Sequence, residues 1–186
     1  MARPEEVEKY SDCYTRSYYR LSGHREHKVL KNLREITGSY LDVGCGRGEV
    51  IQEARKRGID AKGCEIVPYL CDGETIVEGG LDGLPFEDRA FDYVSCYDVV
   101  EHLPEEDVDK AISELLRVTN KVLFVTTNDG PSVVDGMVLH LTRKPFLWWT
   151  EKLSRDGWHV QGGTYSASKN DWHWRIERSS YSTQDE

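Results

Sequence analysis

Two histidines and two acids are the residues of this chain whose types and spacing best suit chemistry. Asp98, Glu101 and His102 form an acid-x-x-acid-His cluster, and His140 follows in a later loop. An imidazole beside carboxylates can take up a proton as a general base. The same mixture of carboxylates and imidazoles suits a divalent ion such as Mg²⁺ or Mn²⁺. The structural alternative is that His102 caps or packs near a pocket and that His140 is an ordinary loop residue.

The most informative segment is a glycine-rich loop between a predicted strand and a predicted helix, LDVGCGRGE at residues 41–49. Glycine is needed where the backbone turns tightly and a ligand approaches without a Cβ in between. A dinucleotide site has the pattern GxGxxG and rests a pyrophosphate on the helix N-terminus. Here the pattern is GxGxG, and Glu49 would face that pyrophosphate. S-adenosylmethionine (SAM) has no phosphate and carries a sulfonium and an ammonium, so the loop favours SAM.

An acid at the end of the next predicted strand supports this choice. Glu65 lies 21 positions after Gly44. An acid about 20 residues beyond such a loop is placed to accept both ribose hydroxyls of an adenosine. Loop and acid together therefore predict an adenosine-containing cofactor.

Four segments of the chain resemble class I SAM-dependent methyltransferases of the small, seven-stranded type. They are LDVGCGRG, the acid Glu65, GLPFEDRAFDYV and YDVVEHL, spread over about residues 38–127. The resemblance implies that the glycine loop lines the methionine part of SAM, that Glu65 holds the ribose, and that Ile66 lies against the adenine. It also implies that Leu81 offers its backbone to the adenine ring. The predicted cofactor-binding residues are Asp42, Gly44, Cys45, Gly46, Glu65, Ile66, Leu81, Asp82 and Asp98.

One departure from the family concerns adenine recognition. The family often has an Asp immediately before the Leu81 position, where it binds the adenine amino group. This chain has Gly80 there, and Asp82 is the nearest substitute. Recognition of the adenine is therefore less well specified by the sequence than recognition of the ribose.

On the acceptor side, the acid-x-x-acid-His cluster resembles a metal site. It occurs in small-RNA 3′-terminal ribose 2′-O-methyltransferases and in ubiquinone-pathway O-methyltransferases, where it holds a divalent ion next to a substrate diol. The resemblance implies Asp98, Glu101, His102 and His140 as ligands of Mg²⁺ or Mn²⁺. Asp98 stands for the usual Glu and is one methylene shorter. Without a metal, His102 and His140 are the catalytic candidates, as a base or as acceptor-binding groups.

The elements that must position these groups alternate along the chain. Predicted strands cover residues 39–43, 60–65, 75–77, 91–96, 121–127, 158–161 and 172–177, and predicted helices cover 23–36, 49–57, 104–118 and 145–155. The pattern predicts a doubly wound, mostly parallel seven-stranded α/β sheet with helices on both faces. Ligands of such sheets bind beyond the carboxyl ends of the strands. Every motif above falls at one of those ends.

Length and charge limit the remaining choices. A chain of 186 residues predicts one domain over 1–186, with an N-terminal lid segment (1–37), a core (38–178) and a flexible tail (179–186). The tyrosines of the lid segment, among them Tyr10, Tyr14 and Tyr18, could fold over SAM. A net charge of −9 disfavours duplex DNA as a partner. No apolar run approaches the roughly 20 residues that span a bilayer. Together with a polar N-terminus and an odd number of cysteines, this predicts a cytoplasmic protein with reduced thiols.

The sequence thus predicts a SAM-dependent methyltransferase that methylates a hydroxyl of a small acceptor, such as a sugar or another polyol-bearing metabolite. Metal-assisted 2′-O-methylation at an RNA end is the first alternative, and N-methylation of a protein or an amine is another. A non-catalytic SAM-binding partner subunit is an alternative of a different class, although the glycine loop is intact. Neither the acceptor nor the oligomeric state follows from the sequence.

Overall fold

Seven strands form one central sheet, and two further strands form a short hairpin. The computed structural model describes residues 3–16, 29, 31–155, 157–166 and 171–179. The strands are β1 (Tyr40–Val43), β2 (Ala61–Glu65), β3 (Ile76–Glu78), β4 (Phe91–Tyr97), β5 (Thr119–Asn128), β6 (Val133–Val134), β7 (Met137–Val138), β8 (Trp158–Ser166) and β9 (Asp171–Arg178). The order in the sheet is β3-β2-β1-β4-β5-β9-β8, and β6 pairs with β7.

The first five strands are parallel, and their order reverses at β1. Strand β1 pairs with β2 on one side and with β4 on the other. In open α/β sheets, ligands bind outside the carboxyl ends of the strands at such a switch point. The glycine loop follows β1 directly, so it lies in the middle of this edge, between the ends of β2 and β4.

Four helices complete the described fold: α1 (Pro4–Thr15), α2 (Glu49–Lys56), α3 (Glu105–Val118) and α4 (Phe146–Leu153). Successive strand residues point to opposite faces, and each face has its own apolar core. One core contains Leu41 and Val43 together with α3 and α4, and the other contains Tyr40 together with α2. The predicted mostly parallel sheet with helices on both faces is confirmed.

Strand β9 is antiparallel to its two neighbours, β5 and β8. Trp174 and Ile176 of β9 are fully buried against the α3 and α4 side of the sheet. The last two strands therefore close that side of the core and leave the carboxyl edge of β1 to β5 open for a ligand.

Most predicted elements agree with the structure to within two residues, and three regions differ. Helix α1 (Pro4–Thr15) was not among the predicted helices. Strand β8 continues to Ser166, well beyond the predicted end at residue 161. The β6–β7 hairpin was not predicted, although its turn residues Asp135 and Gly136 both have positive φ, 49° and 81°, the conformation that Asp-Gly favours in two-residue hairpins. Of the helix expected over 23–36, only positions 29 and 31–33 are described as helical. The rest up to residue 30 lies outside the described residues, as do Tyr18, Tyr19 and most of the expected tail.

No helix among the described residues is long and apolar enough to cross a membrane.

Candidate cofactor and acceptor site

The glycine loop turns sharply from β1 into α2. Gly44, Gly46 and Gly48 have φ values of 70°, 56° and 73°, in the left-handed region that side chains disfavour. Space is also short, because a Cβ at Gly44 would collide with the side chain of Val99, and one at Gly46 with the hydroxyl of Tyr14. The glycines are therefore required both for the turn and for the close approach of neighbouring groups.

Glu65 ties this loop to the end of β2. Its carboxylate is only 4% exposed and accepts the backbone N–H of Gly46 at 2.8 Å, of Ile66 at 2.8 Å and of Val67 at 3.2 Å. Burial raises the pKa of Glu65 and outweighs the three N–H bonds, each of which lowers it. The predicted ribose-binding acid thus also fixes the shape of the loop.

A cavity of about 360 Å³ lies at the carboxyl edge, within the range of about 300–1,000 Å³ that is usual for small-molecule sites. Six of the predicted cofactor-binding residues line it: Gly44, Glu65, Ile66, Leu81, Asp82 and Asp98. Asp82, the nearest substitute for the missing adenine-binding acid, lines the cavity together with Gly80. The structure thus brings together the residues assigned to the ribose and to the adenine.

The other three predicted cofactor residues are not part of the cavity lining. Asp42 points to the face of the sheet below the loop, where its Oδ1 accepts the hydroxyl of Ser95 at 2.5 Å. Cys45 packs toward Gly63, and burial raises the pKa of its thiol. Gly46 is covered by Tyr14.

Helix α1 forms the roof of the cavity. Arg3, Glu6, Tyr10 and Tyr14 all line it. Tyr10 and Tyr14 are four positions apart and share one helical face. The two tyrosines were named from the sequence among those of the lid segment, but the contributions of Arg3 and Glu6, which no sequence pattern indicates, were missed.

Helix α1 is held over the cavity mainly by polar contacts near its ends. At the start of α1, Arg3 forms an ion pair with Asp107 of α3. Toward the end, Arg47 donates to the carbonyl of Tyr14 at 2.9 Å, and Tyr69 donates its hydroxyl proton to the carbonyl of Ser11 at 2.8 Å. Within the helix only Cys13 is classed as buried. Little apolar area therefore holds α1 on the core.

The predicted histidines meet beside the cavity. Glu101, His102 and His140 each place one ligand atom within 4.8 Å of the other two. Glu101 is fully buried and His102 is 8% exposed. The backbone carbonyl of Glu101 accepts the N–H groups of residues 141 and 142, both at 2.9 Å. These two bonds hold the loop that carries His140 against the turn that carries His102.

Hydrogen bonds define the proton position on one of the two histidines. Nδ1 of His140 is 2.7 Å from the carbonyl oxygen of Gly130. Because a carbonyl only accepts, this nitrogen carries the proton, and Nε2 of neutral His140 holds a lone pair. Nδ1 of His102 is 2.8 Å from the hydroxyl of Tyr10, which can donate or accept. The two imidazole rings meet edge to face, with their centroids 4.8 Å apart.

Asp98, the fourth predicted metal ligand, is not brought into this group. It has a φ of 54° at the end of β4, and its Oδ1 accepts the hydroxyl of Thr126 at 2.5 Å. The chain changes direction at Asp98 before the short helical turn Val100–His102. Asp98 lines the cavity and lies outside the group of Glu101, His102 and His140. The structure therefore assembles one carboxylate and two imidazoles, whereas the sequence predicted two of each.

These three groups fit a divalent ion in donor type. Two opposite ligands of an octahedral Mg²⁺ lie about 4 Å apart, since its bonds are about 2.1 Å long. Neighbouring ligands lie about 3 Å apart, so separations of at most 4.8 Å would need to close by up to about 2 Å. The bond from His140 to Gly130 also resembles the outer contact that usually orients a metal-binding imidazole.

Comparisons with known proteins point to a methyltransferase fold. Residues 41–122 match the family model described as "Methyltransferase domain". The ubiquinone biosynthesis O-methyltransferase of Bordetella avium is 28% identical over 120 residues, which cover 55% of this chain and 50% of that protein. The chain thus spans about half the length of this curated relative.

Solved structures share the whole architecture. The putative methyltransferase in complex with the Haloferax volcanii Trm112 methyltransferase activator has a TM-score of 0.71 and 13% identity, and the match covers 97% of this chain and 100% of that one. Magnesium protoporphyrin IX methyltransferase of Synechocystis PCC 6803, solved with S-adenosylhomocysteine (SAH) bound, has a TM-score of 0.67 and 17% identity, with coverage of 90% and 94%. At such identities, the likeness establishes the fold.

The sheet has the strand arrangement of the class I methyltransferases. Its last strand, β9, is antiparallel and lies between β5 and β8. The chain accordingly has the class I methyltransferase fold, and its segment 41–122 matches a methyltransferase domain.

Proposed function

We propose that this domain transfers the methyl group of SAM to a hydroxyl of a small acceptor, such as a sugar or another polyol-bearing metabolite. The observation that carries the proposal is the group formed by Glu101, His102 and His140 next to the cofactor cavity. Methyl transfer from a sulfonium chiefly needs orientation and exclusion of water. A hydroxyl acceptor also has to lose its proton, and an imidazole with an available lone pair meets that need.

His140 is the better-defined base of the two histidines. Its Nδ1–H is held by Gly130, so Nε2 is ready to accept a proton. The buried carboxylate of Glu101, close to both rings, would stabilise an imidazolium formed by that step. A hydroxyl acceptor is also supported by the similarity to ubiquinone biosynthesis O-methyltransferases.

A divalent ion is a second way for the same three residues to act. Glu101, His102 and His140 would hold it, and the bound ion would lower the pKa of a coordinated acceptor hydroxyl. Because this set holds two imidazoles and one carboxylate, it suits Mn²⁺ better than Mg²⁺, which prefers oxygen ligands. The ribose of an RNA end remains the alternative acceptor for this form of the site, although a net charge of −9 offers no general attraction for RNA.

The test starts from cofactor binding. The protein is titrated with SAH in a calorimeter, and the saturated protein is then titrated with Mn²⁺. Transfer from labelled SAM is measured across a panel of sugars, polyols and RNA ends. His140→Ala should leave SAH binding intact, because His140 does not line the cavity, and should abolish transfer. His159→Ala is the matched control, since His159 lies on β8 and bonds to Ser179.

Each outcome separates one hypothesis from another. Absence of SAH binding would refute the methyltransferase proposal. Mn²⁺ binding that His140→Ala removes and His159→Ala preserves would favour the metal form. SAH binding without transfer to any acceptor in the panel would favour the non-catalytic partner subunit.

A further inference from the structure

Two consecutive glycines, Gly79 and Gly80, form part of the cavity wall next to Glu65. The N–H group of Gly79 donates to the backbone carbonyl of Glu65 at 3.0 Å, which places this wall beside the end of β2. The wall continues through Leu81 and Asp82, in a tight turn closed by a 3.1 Å hydrogen bond to the carbonyl of Gly80. Gly80 and Leu81 are buried, whereas Asp82 is exposed.

Packing requires glycine at position 79, whereas the backbone conformation does not require it at position 80. A Cβ at Gly79 would lie 2.6 Å from Cδ of Pro85 and 2.9 Å from Sγ of Cys64, so no larger residue fits there. Gly80 does not have a positive φ, the conformation that only glycine adopts readily. The backbone thus permits a side chain at position 80, and glycine leaves this stretch of the wall without one.

This wall adjoins the residue proposed to hold the ribose. The lining residues that follow Glu65 along β2 and its neighbour β3 are Ile66 and residues 79–82. With the ribose at Glu65, the base attached to it would extend along them. The N–H groups of Ile66 and Gly79 are already bonded to Glu65. The wall therefore offers a purine the main chain of residues 80–82 and one polar side chain, that of Asp82.

Burial determines how strongly a polar group can select a ligand. A buried group that pairs with one substituent rejects a ligand without it, because the group is then left unpaired. Glu65 is the only buried acid among the described lining residues. Gly80 has no side chain to pair with the 6-amino group of adenine. Asp82 is exposed, so its carboxylate regains water when no ligand group is present and selects only weakly.

We propose that Gly80 makes the cofactor site insensitive to the 6-amino group of the purine. The main chain of this wall then recognises the base through its ring nitrogens. This inference rests on the proposed function, because it needs an adenosine-containing ligand in the cavity. Gly80 is the residue that determines this specificity, since a carboxylate in its buried position would accept a hydrogen bond from the amino group.

The experiment compares two ligands that differ only at the 6-position. One is SAH, and the other is its 6-deamino analogue, which has purine in place of adenine and keeps the ring nitrogens, the ribose and the amino-acid end. Calorimetric titration gives the ratio of their two affinities. The wild type should bind them within about threefold of each other, because no buried group loses a partner.

Variants at position 80 test the residue itself. Gly80→Asp should favour SAH over the analogue by about tenfold or more, the value of a hydrogen bond to a charged group. Gly80→Ala is the matched control, because it adds a methyl group without a polar atom and should keep the wild-type ratio. Asp82→Asn should keep that ratio too. Thermal melts followed by circular dichroism verify that each variant is folded.

Three results would overturn the inference. A wild type that prefers SAH by tenfold or more would show that the amino group is recognised, and loss of that preference in Asp82→Asn would assign the recognition to Asp82. An unchanged ratio in folded Gly80→Asp would show that position 80 does not face the 6-position. If the wild type binds neither ligand, the proposed function fails and this inference fails with it, whereas the first two results leave the proposed function standing.

Discussion

Replacing Glu65 by Gln tests the cofactor assignment with a change of one charge and almost no volume. The carboxylate accepts three backbone N–H groups at 2.8 to 3.2 Å and lines the cavity. Oε1 already accepts the N–H groups of Ile66 and Val67, whereas Oε2 accepts only that of Gly46 and keeps a lone pair that a ribose hydroxyl can use. Gln keeps one acceptor oxygen and turns the other position into an NH₂ donor that faces backbone donors.

The expected loss follows from those bonds. A hydrogen bond to a charged group contributes about 1.5–3 kcal/mol, compared with about 1 kcal/mol for a neutral pair. Loss of the charge at the ribose hydroxyl bound to Oε2, together with one bond that can no longer form, amounts to about 2–3 kcal/mol. In affinity for SAH this is a loss of about 30- to 150-fold.

Calorimetric titration with SAH measures this loss directly. Glu78→Gln is the matched control, because Glu78 lies in register with Glu65 on the neighbouring strand β3, is exposed, and is not a lining residue. If Glu65→Gln binds SAH within about threefold of the wild type, the reasoning from hydrogen bonds to the ribose is refuted. Equal losses in both variants would point to the overall charge of this edge instead.

Three further predictions concern stability and the roof. Burial raises the pKa of Glu65 from 4.5, so this carboxyl stabilises the fold in its protonated form. The stability advantage of the apo wild type over Glu65→Gln, measured as the difference in unfolding free energy from urea titrations, should therefore fall as the pH rises above about 4.5. A difference that grows with pH would contradict this. Gly44→Ala should cost about 2 kcal/mol or more in the same assay, because strain at a φ of 70° adds to a collision. Gly73→Ala, with a φ of 78° but open space, should cost only about 1–2 kcal/mol, and equal costs would refute the role of the collision. Asp107→Asn, which removes the ion pair with Arg3, should speed hydrogen exchange in residues 4–15 and leave the melting temperature nearly unchanged; unchanged exchange would show that this pair does not hold the roof.

The sheet could be predicted because its strands are continuous apolar runs between clear turn signals. Phe91–Tyr97 and Thr119–Asn128 are buried on both faces, so their composition alone marks them as central strands. The hairpin over 133–138 has strands of only two residues each, too short for a periodic pattern. Its Asp-Gly turn was visible in the sequence and is the signal that could have revealed it.

The site was predictable where local sequence determines geometry. The glycine loop and Glu65 belong to one turn and one strand end, and the structure places both at the cavity. Asp98 shows the limit of spacing arguments. Its position in the acid-x-x-acid-His cluster predicts a ligand, yet a left-handed backbone and the hydroxyl of Thr126 keep it from the other three groups. The roof depends on contacts between distant segments, such as Arg3 with Asp107, which no local pattern encodes.

The position of Tyr10 bears on how an acceptor reaches the histidines. Its hydroxyl is 2.8 Å from Nδ1 of His102, so an acceptor hydroxyl that binds to this nitrogen has to displace the one on Tyr10. Displacing it means moving α1, in which only Cys13 is classed as buried. The exposed ion pairs of this helix contribute at most about 1 kcal/mol each, so they oppose the movement only weakly. Under the proposed function, the choice of acceptor then depends on what can replace α1 beside His102.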